Sequence, residues 1–347
     1  MSLLNKVGDC FALDIGTTSV RVVQLTGSEG AWSLSHYAFS PVDVQVGASD
    51  ASEDRRKLLD VITNVINHSG IRTKDVILGI PSSRTFSTVV DLPNMPAHEL
   101  ASTIKYQADQ YIPTWNEETK LDWALLGKSP KDANKNEVLI TAVSNTFIEP
   151  RLDMVESLGL NVVAMEPDAI AMMRSLSIPG STEVQLIVEL GDFNADIVIM
   201  HEGTPRIIRS INVGVQTLIK SVASNLNVEV AQAAQFIEKF GIQPDKLEGQ
   251  VLRSVQPTLE QLSSEIDKSV KFFQARYTDA NIQKLIVSNY ASTVPGMSSY
   301  IAEKMGIQAV PGNPWQRIKV GKNDQAQLQP LASQFAVAIG LAERGAL

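Results

Sequence analysis

The feature that most constrains the fold is a pattern that occurs twice: an apolar segment, a short turn with an acid and a glycine, and a second apolar segment. The first copy is Phe11–Leu25, FALDIGTTSVRVVQL, and the second is Leu186–Met200, LIVELGDFNADIVIM. Each copy predicts a strand, a tight turn and a second strand. Because the copies lie roughly 175 residues apart, they predict a duplicated architecture with a cleft between two halves.

The turn of the first copy has the residue types of a phosphate-binding loop. Gly16 has no Cβ, so the backbone can approach a ligand closely. Asp14, at the end of the first strand, is suited to holding the water shell of a magnesium ion, and Arg21 adds a positive charge. An ordinary hairpin with polar turn residues is the alternative interpretation. Further phosphate donors are the turn N–H groups and the hydroxyls of Thr17, Thr18 and Ser19.

Composition excludes several classes of protein. The 347-residue chain is long enough for two or more domains, carries a net charge of −8 and shows no cluster of Lys and Arg, which argues against nucleic-acid binding. Its single cysteine, Cys10, excludes an internal disulfide and suits a reducing compartment. No apolar run approaches the roughly 20 residues of a membrane span. The opening MSLLNKVGDC is too short and too polar for a signal peptide, so we expect a cytoplasmic protein.

The segment between the two copies predicts an inserted small α/β domain, roughly Thr85–Val163. It contains an amphipathic pattern at Ala97–Ile112 that predicts a helix. Tyr106, Tyr111, Trp115 and Trp123 gather here, either as core packing or as a docking surface for a peptide. The predicted domains are a first lobe (1–84, 164–185 and 328–347), the insert (85–163) and a second lobe (186–327).

Other patterns predict single elements. After the first hairpin a polar, acidic stretch runs to about Asp54, and a helix is predicted over 55–69. Helices are also predicted over Glu166–Leu176, 294–305 and 331–342, and over 259–277 in the second half. A strand over 284–287 enters Ser288.

Several segments carry a resemblance to known families. Asp-x-Gly-Thr-Thr-Ser-x-Arg, starting at Asp14, resembles the first phosphate loop of the actin, Hsp70 and sugar-kinase superfamily. Lys74–Pro113, the Leu121-Asp122-Trp123 triplet and Phe335–Glu343 resemble the PilM family, the actin-like cytoplasmic proteins of type IV pilus assembly. The related FtsA family has the same insertion. The resemblance implies an α/β, actin-like, two-lobed fold with an FtsA-type inserted subdomain.

The same resemblance implies partners and a location. It implies a scaffold peripheral to the inner membrane, bound to the cytoplasmic N-terminal tail of a PilN-like membrane protein and to other pilus assembly proteins. The tail is expected in a groove between the first lobe and the insert. The expected wall residues are Tyr106, Tyr111, Ile112 and Trp123.

The superfamily resemblance also implies ATP and magnesium as ligands, with Asp14 as the metal-binding residue. The implied nucleotide-contacting residues are Asp14, Gly16, Thr17, Thr18, Ser19, Arg21, Glu189, Gly191, Asp192, Gly214 and Ser288.

The second half departs from the family pattern at this site. Glu189 stands where Asp is usual, and its extra methylene moves the carboxylate by about 1.5 Å. Phe193 replaces a small residue, and Ser288-Asn289-Tyr290-Ala291 replaces Ser-Gly-Gly-Gly in the adenosine stretch. Gln232 and Gln235 stand where a Glu and a Lys are usual. These changes predict weakened or lost ATP binding and no efficient ATPase. The alternatives are an actin-fold kinase or ATPase, and an FtsA-like polymer former.

Overall fold

The computed structural model describes residues 9–28, 30–49, 51–113 and 115–344. The chain divides into two compact units. Unit 1 contains the residues up to Ser177 and those from Asn313 onward, and unit 2 is Ile178–Gly312, where the sequence predicted a second lobe over 186–327. Residues 1–8, which carry most of the signal-peptide argument, lie outside the described part.

The described residues form strands in both units. In chain order they are β1 (Phe11–Ile15), β2 (Ser19–Thr26), β3 (Trp32–Pro41), β4 (Asp75–Ile80), β5 (Thr85–Pro93), β6 (Thr119–Lys128), β7 (Lys135–Ser144), β8 (Asn161–Pro167), β9 (Gln185–Leu190), β10 (Ala195–His201), β11 (Thr204–Ile211), β12 (Lys284–Asn289), β13 (Ala309–Pro311) and β14 (Ile318–Lys319).

The helices cover these sheets. They are α1 (Val44–Gly47), α2 (Ser52–Ser69), α3 (Ala97–Tyr106), α4 (Ala108–Tyr111), α5 (Asn145–Glu156), α6 (Asp168–Leu176), α7 (Val215–Leu226), α8 (Val230–Phe240), α9 (Gln250–Arg276), α10 (Tyr290–Thr293), α11 (Met297–Met305), α12 (Lys322–Leu328) and α13 (Ala336–Arg344). Short 3₁₀ helices occupy Ser82–Arg84, Leu247–Gly249, Pro314–Arg317 and Gln329–Phe335.

The main sheet of unit 1 has the order β14-β3-β2-β1-β4-β8 within the described residues. Its centre is β1, whose five residues are all buried, as expected for a strand covered on both faces. Helix α2 packs its apolar stripe, Leu58, Ile62 and Val65, into the core on one side of this sheet. Helix α13 is apolar from Ala336 to Ala342, and its packing against β1 and α6 brings the last part of the chain back to the first.

The insert forms a separate antiparallel sheet within unit 1. Its order is β5-β7-β6, so β7 is central and β6 pairs with β7 along one edge. Helices α3 and α4 cover this sheet with a small core that includes Leu100, Ile104 and Ala108. The four-residue spacing of these side chains places them on one helical face.

Unit 2 repeats the sheet plan of unit 1 in a smaller form. The order β11-β10-β9-β12-β13 puts the hairpin strands β9 and β10 next to the parallel strand β12. Helices α7, α8, α9 and α11 pack apolar residues into one core with the inward side chains of the sheet. Both predicted strand–turn–strand units, β1–β2 and β9–β10, are confirmed.

The structure corrects several predicted elements. Residues 32–41 form β3 rather than a polar connection, because pairing with β2 stabilises a strand whose polar side chains are partly exposed. Residues 161–167 form β8, so the helix predicted from Glu166 begins at Asp168. The helix predicted over 97–112 breaks at Gln107 into α3 and α4.

Three predicted helices in the second half also have different limits. Helix α9 begins at Gln250, nine residues before the prediction, and continues through Pro257. Helix α11 begins at Met297, after Gly296 in a left-handed conformation, rather than at Val294. The helix predicted over 331–342 is a 3₁₀ segment up to Phe335 followed by α13.

Candidate functional site

The first hairpin closes with a tight turn that neighbouring segments of the chain hold in place. The Gly16 N–H donates to the Ser19 carbonyl across 3.0 Å, and the Thr18 carbonyl accepts from the Val42 N–H at 2.8 Å. A Cβ on Gly47 would lie 2.0 Å from the Thr17 carbonyl oxygen, so only glycine lets α1 approach the turn this closely. Thr17, Thr18 and Ser19 are each partly exposed. This arrangement keeps the turn in one backbone conformation.

Asp14 and Arg21 form an ion pair beneath this turn. They lie opposite each other in the β1–β2 register, and Arg21 Nη1 is 3.1 Å from Asp14 Oδ2. The two side chains are 7% and 12% exposed. Burial raises the pKa of the Asp14 carboxyl, while the Arg21 and Arg151 guanidinium groups oppose that increase. Asp14, the predicted magnesium-binding residue, is therefore paired with Arg21, the positive charge predicted beside the phosphate.

Two further contacts hold this pair in place. The Arg21 guanidinium lies 5.9 Å from the centroid of the Phe335 ring. Arg151 Nη2 donates to the Ile15 carbonyl at 3.2 Å, which ties α5 to the end of β1. Among the described residues, no group of three or more His, Cys, Asp and Glu side chains forms a metal-binding cluster. A magnesium ion at Asp14 would compete with Arg21 for the carboxylate.

The second hairpin has the same backbone construction. The Gly191 N–H donates to the Asn194 carbonyl at 2.8 Å, as Gly16 does to Ser19. A Cβ on Gly214 would lie 2.2 Å from the Asp192 carbonyl oxygen, so the start of α7 approaches this turn as α1 approaches the first. The Gln216 N–H donates to the same Asp192 carbonyl at 2.9 Å. The predicted residues Gly191, Asp192 and Gly214 are therefore brought together.

The side chains of the second hairpin differ in charge from those of the first. Glu189 lies opposite Asp196 in the β9–β10 register, where the first hairpin has Asp14 opposite Arg21. Ser288, which is fully buried, lies beside Glu189 in the parallel β9–β12 pair. The next two residues of the chain, Asn289 and Tyr290, donate to the Glu189 and Asp192 carboxylates at 3.4 and 3.3 Å. Phe193, in the turn itself, is 37% exposed.

A cavity of about 320 Å³ lies between the insert and the main sheet of unit 1. Five consecutive β6 residues, Lys120–Ala124, line it, together with Met165, Glu166 and Pro167 at the end of β8. Leu139, Thr141 and Val143, alternate residues of the central strand β7, also line it, so the cavity lies along one face of the insert sheet. β6 is the last strand of the insert sheet and β8 the last of the main sheet. The cavity therefore extends from one face of the insert sheet to the edge strands β6 and β8.

The four predicted partner-binding residues have different surroundings. Trp123 lines the cavity and packs partly against the core of the insert. Ile112 is 1% exposed inside that core, where it continues the spacing of Leu100, Ile104 and Ala108. The Tyr111 hydroxyl donates to Gln107 Oε1 at 2.9 Å, and Tyr106 is 87% exposed on α3.

Sequence analysis missed the charged floor of the cavity. Glu166 accepts from both terminal nitrogens of Arg174 at 2.6 Å, and Arg344 Nη1 lies 3.0 Å from Glu166 Oε1. Glu166 and Arg344 both line the cavity. They are far apart in the chain, and no local spacing connects them. The arrangement of a charged floor and two open strand edges suits an extended peptide.

The fold and the paired hairpins define the class of the protein as actin-like. Superposition with MreB 5 of Spiroplasma citri bound to AMPPNP gives a TM-score of 0.55 at 11% identity, covering 95% of this chain and 94% of that one. The ethanolamine utilization protein EutJ from Carboxydothermus hydrogenoformans gives 0.53 at 14% identity, with 96% and 88% covered.

The family follows from the sequence match. Residues 12–346 match the family described as Type IV pilus assembly protein PilM, and the chain belongs to this family. A solved structure described as the PilM-PilN type IV pilus biogenesis complex has a TM-score of 0.85 at 21% identity, covering 98% of this chain and 99% of that one. Within the described residues, no helix is both long and apolar enough to cross a bilayer.

Proposed function

We propose that this chain is a cytoplasmic scaffold of the type IV pilus machinery, or of a related secretion system, that binds the N-terminal tail of a PilN-like inner-membrane protein. The tail lies in the cavity between β6 and β8, and it holds the scaffold at the inner membrane. The observation that carries the proposal is the cavity lined by five consecutive residues of an edge strand. The family match and the likeness to the PilM-PilN complex support it.

The cavity has the chemistry that such a tail needs. Trp123, Leu121 and Met165 offer apolar contact, and a buried aromatic anchor is the usual centre of a peptide interface. Backbone groups at the open edge of β6 supply hydrogen bonds that do not depend on the peptide's side chains. The Glu166–Arg344 pair and Lys120 add charges that fix the orientation of the tail.

The nucleotide is a separate part of this proposal. One structural neighbour, MreB 5, is described as bound to AMPPNP. We propose that this chain binds ATP weakly or not at all and is not an efficient ATPase. The engagement of Asp14 by Arg21 and of the second-hairpin acids by Asn289 and Tyr290 supports this. Scaffolding then depends on the peptide groove and not on turnover.

The docking proposal is tested with a synthetic peptide that copies the cytoplasmic N-terminus of the PilN-like protein made by the same cell. Binding to the full chain is measured by calorimetry. Trp123→Ala removes a central anchor, and we expect a loss of at least about 2 kcal/mol, or roughly 30-fold in Kd. Tyr106→Ala and Tyr111→Ala measure how far the interface extends toward α3.

The matched control is Phe272→Ala, which removes an aromatic ring that is 68% exposed in unit 2. This change is expected to leave the Kd unchanged within about twofold, as for a surface change outside an interface. Circular dichroism confirms that each variant is folded. Unchanged affinity in Trp123→Ala would place the docking site elsewhere. No binding of the tail peptide by the native chain at millimolar concentration would contradict the proposed scaffold function.

A further inference from the structure

The end of β12 has an unusual backbone for the residue it carries. Asn289 has φ 53° and ψ −131°. This combination lies in the region that glycine adopts readily and residues with a Cβ rarely do. Two hydroxyls fix the position, because Ser292 Oγ and Thr293 Oγ1 donate to the Asn289 carbonyl at 2.8 and 3.2 Å. A side chain at a position built for glycine needs a compensating contact.

The Asn289 side chain makes such a contact with the second hairpin. Its Nδ2 donates to Glu189 Oε1 at 3.4 Å. Strand β12 runs parallel to β9, with Ser288 beside Glu189 and Asn289 beside Leu190, so the amide reaches the carboxylate across one strand spacing. Glu189 and Asn289 both differ from the family pattern. The longer side chain of the acid and the amide are complementary, because they contact each other within unit 2.

Tyr290 makes the equivalent contact one residue later. Its hydroxyl donates to Asp192 Oδ1 at 3.3 Å, while its ring packs against the core of unit 2. The Asp192 backbone cannot move away, because Gly214 approaches its carbonyl and Gln216 donates to it. Both acids of the second turn region thus accept hydrogen bonds from neutral donors at the end of one strand.

We propose that Asn289 and Tyr290 form an internal latch that closes the nucleotide-contacting segment of unit 2. The latch side chains fill the place where the family pattern has glycine backbone beside a nucleoside. They also donate to the Glu189 and Asp192 carboxylates, two of the residues that the superfamily resemblance assigns to the nucleotide site. The inference deepens the proposed weak nucleotide binding, and it is independent of peptide docking.

The latch has a calculable effect on nucleotide affinity. A ligand that enters this segment has to displace two long hydrogen bonds, of 3.4 and 3.3 Å, for which we take the contribution of an ordinary hydrogen bond, about five- to tenfold in an equilibrium constant. Opening the latch is therefore expected to increase the affinity for MgATP by about 30-fold or more. The full increase requires the loss of both contacts, since either side chain alone still engages an acid.

The experiment is a calorimetric titration of the full chain with MgATP. The native chain is compared with the double variant Asn289→Gly/Tyr290→Ala, which restores glycine backbone and removes the ring. Tyr290→Phe isolates the hydroxyl, because it keeps the ring that packs in the core. The matched control is Asn227→Gly in the same unit, where an asparagine also has positive φ, 52°, but caps α7.

We expect the double variant to bind MgATP at least about 30-fold more tightly than the native chain, Tyr290→Phe to gain a few-fold, and Asn227→Gly to match the native chain. Equal affinity in the double variant and the native chain overturns the latch, as does tight MgATP binding by the native chain. If the double variant is too unstable to titrate, Asn289→Gly/Tyr290→Phe is used instead. A thermal shift with MgATP in that variant and none in the native chain supports the latch, and equal shifts overturn it.

A peptide-binding measurement distinguishes failure of the latch from failure of the proposed function. The groove lies in unit 1, whereas the latch lies in unit 2. Loss of peptide binding with an intact latch contradicts the scaffold, and a double variant that binds the peptide but gains no affinity for MgATP contradicts only the latch.

Discussion

The two hairpins share a backbone and differ in their charges. In each, a glycine N–H closes the turn onto a carbonyl three residues later, and a second glycine lets another segment approach the turn. In the first hairpin the strand acid lies opposite an arginine, whereas in the second it lies opposite another acid. The two hairpins therefore have the same turn geometry although the charges of their strands differ. The acid of the first hairpin forms a buried ion pair, whereas the acid of the second accepts a hydrogen bond from the Asn289 amide at the end of β12.

The largest expected difference between the hairpins follows from removing the strand acids. Asp14→Ala leaves the Arg21 guanidinium buried without its main partner, and we expect the free energy of unfolding of unit 1 to fall by about 3 kcal/mol. Glu189→Ala removes a contact to a neutral amide, and a loss of at most about 1 kcal/mol is expected in unit 2.

Urea unfolding measures both changes. The four tryptophans of the chain, Trp32, Trp115, Trp123 and Trp315, all lie in unit 1, so their fluorescence follows unit 1, while circular dichroism follows both units. Equal losses in the two variants would show that the ion pair is no more important than the amide contact.

Cysteine labelling tests how firmly the first hairpin's sheet is closed. Cys10 immediately precedes β1, and burial, with smaller contributions from Asp9 and Asp75, raises the pKa of its thiol to about 11 from 9.0. Because the thiolate is the reactive form, labelling of the native chain at pH 8 should be about 100-fold slower than in urea.

Asp14→Ala should accelerate this labelling through more frequent opening of unit 1, whereas Glu189→Ala should leave the rate unchanged. Cys10 is the only cysteine in the sequence, so no correction for a second thiol is needed. Rapid labelling of the native chain would contradict the buried, protonated thiol.

The glycines that approach the two turns provide a test of the shared backbone. Gly47→Ala and Gly214→Ala would each place a Cβ about 2 Å from a turn carbonyl oxygen. Since backbone atoms have to move in both cases, we expect each change to cost about 2 kcal/mol of unfolding free energy. The measurement is again urea unfolding, by fluorescence for Gly47→Ala and by circular dichroism for Gly214→Ala. A cost in one hairpin and none in the other would disprove the equivalence.

The smallest expected effect is the pH dependence of the first hairpin. Burial raises the pKa of Asp14 above its unfolded value of 3.8, so the folded chain binds this proton more tightly than the unfolded chain. The resulting stabilisation is complete below pH 3.8 and is lost as pH rises through the folded pKa. Asp14→Asn removes this dependence, so the native chain should lose stability relative to Asp14→Asn as pH rises above 4.

Unfolding of the native chain and of Asp14→Asn at a series of pH values measures this slope. The opposite slope would show that the Arg21 charge outweighs the burial of the carboxyl. A flat difference would show that the two effects cancel.

Sequence patterns located both hairpins because alternation and turn chemistry are local properties. The same patterns missed β3, whose polar side chains conceal a strand that pairing with β2 stabilises. They also missed β8, because this strand is followed directly by α6 and its apolar residues are continuous with those of the helix. A cavity lies next to the insert, where the family resemblance implied a groove for the tail, and of the expected wall residues Trp123 lines it.

The amino-acid sequence by itself determined the paired strand–turn–strand units and the family, because each depends on residue types at short, fixed spacings. Tertiary structure alone decided which charges meet. Arg344 reaches Glu166 through the packing of α13, and Tyr290 reaches Asp192 because β12 lies beside β9. Partners of this kind are separated by long stretches of chain, so their distances are set by sheet order and helix packing, and no local pattern encodes them.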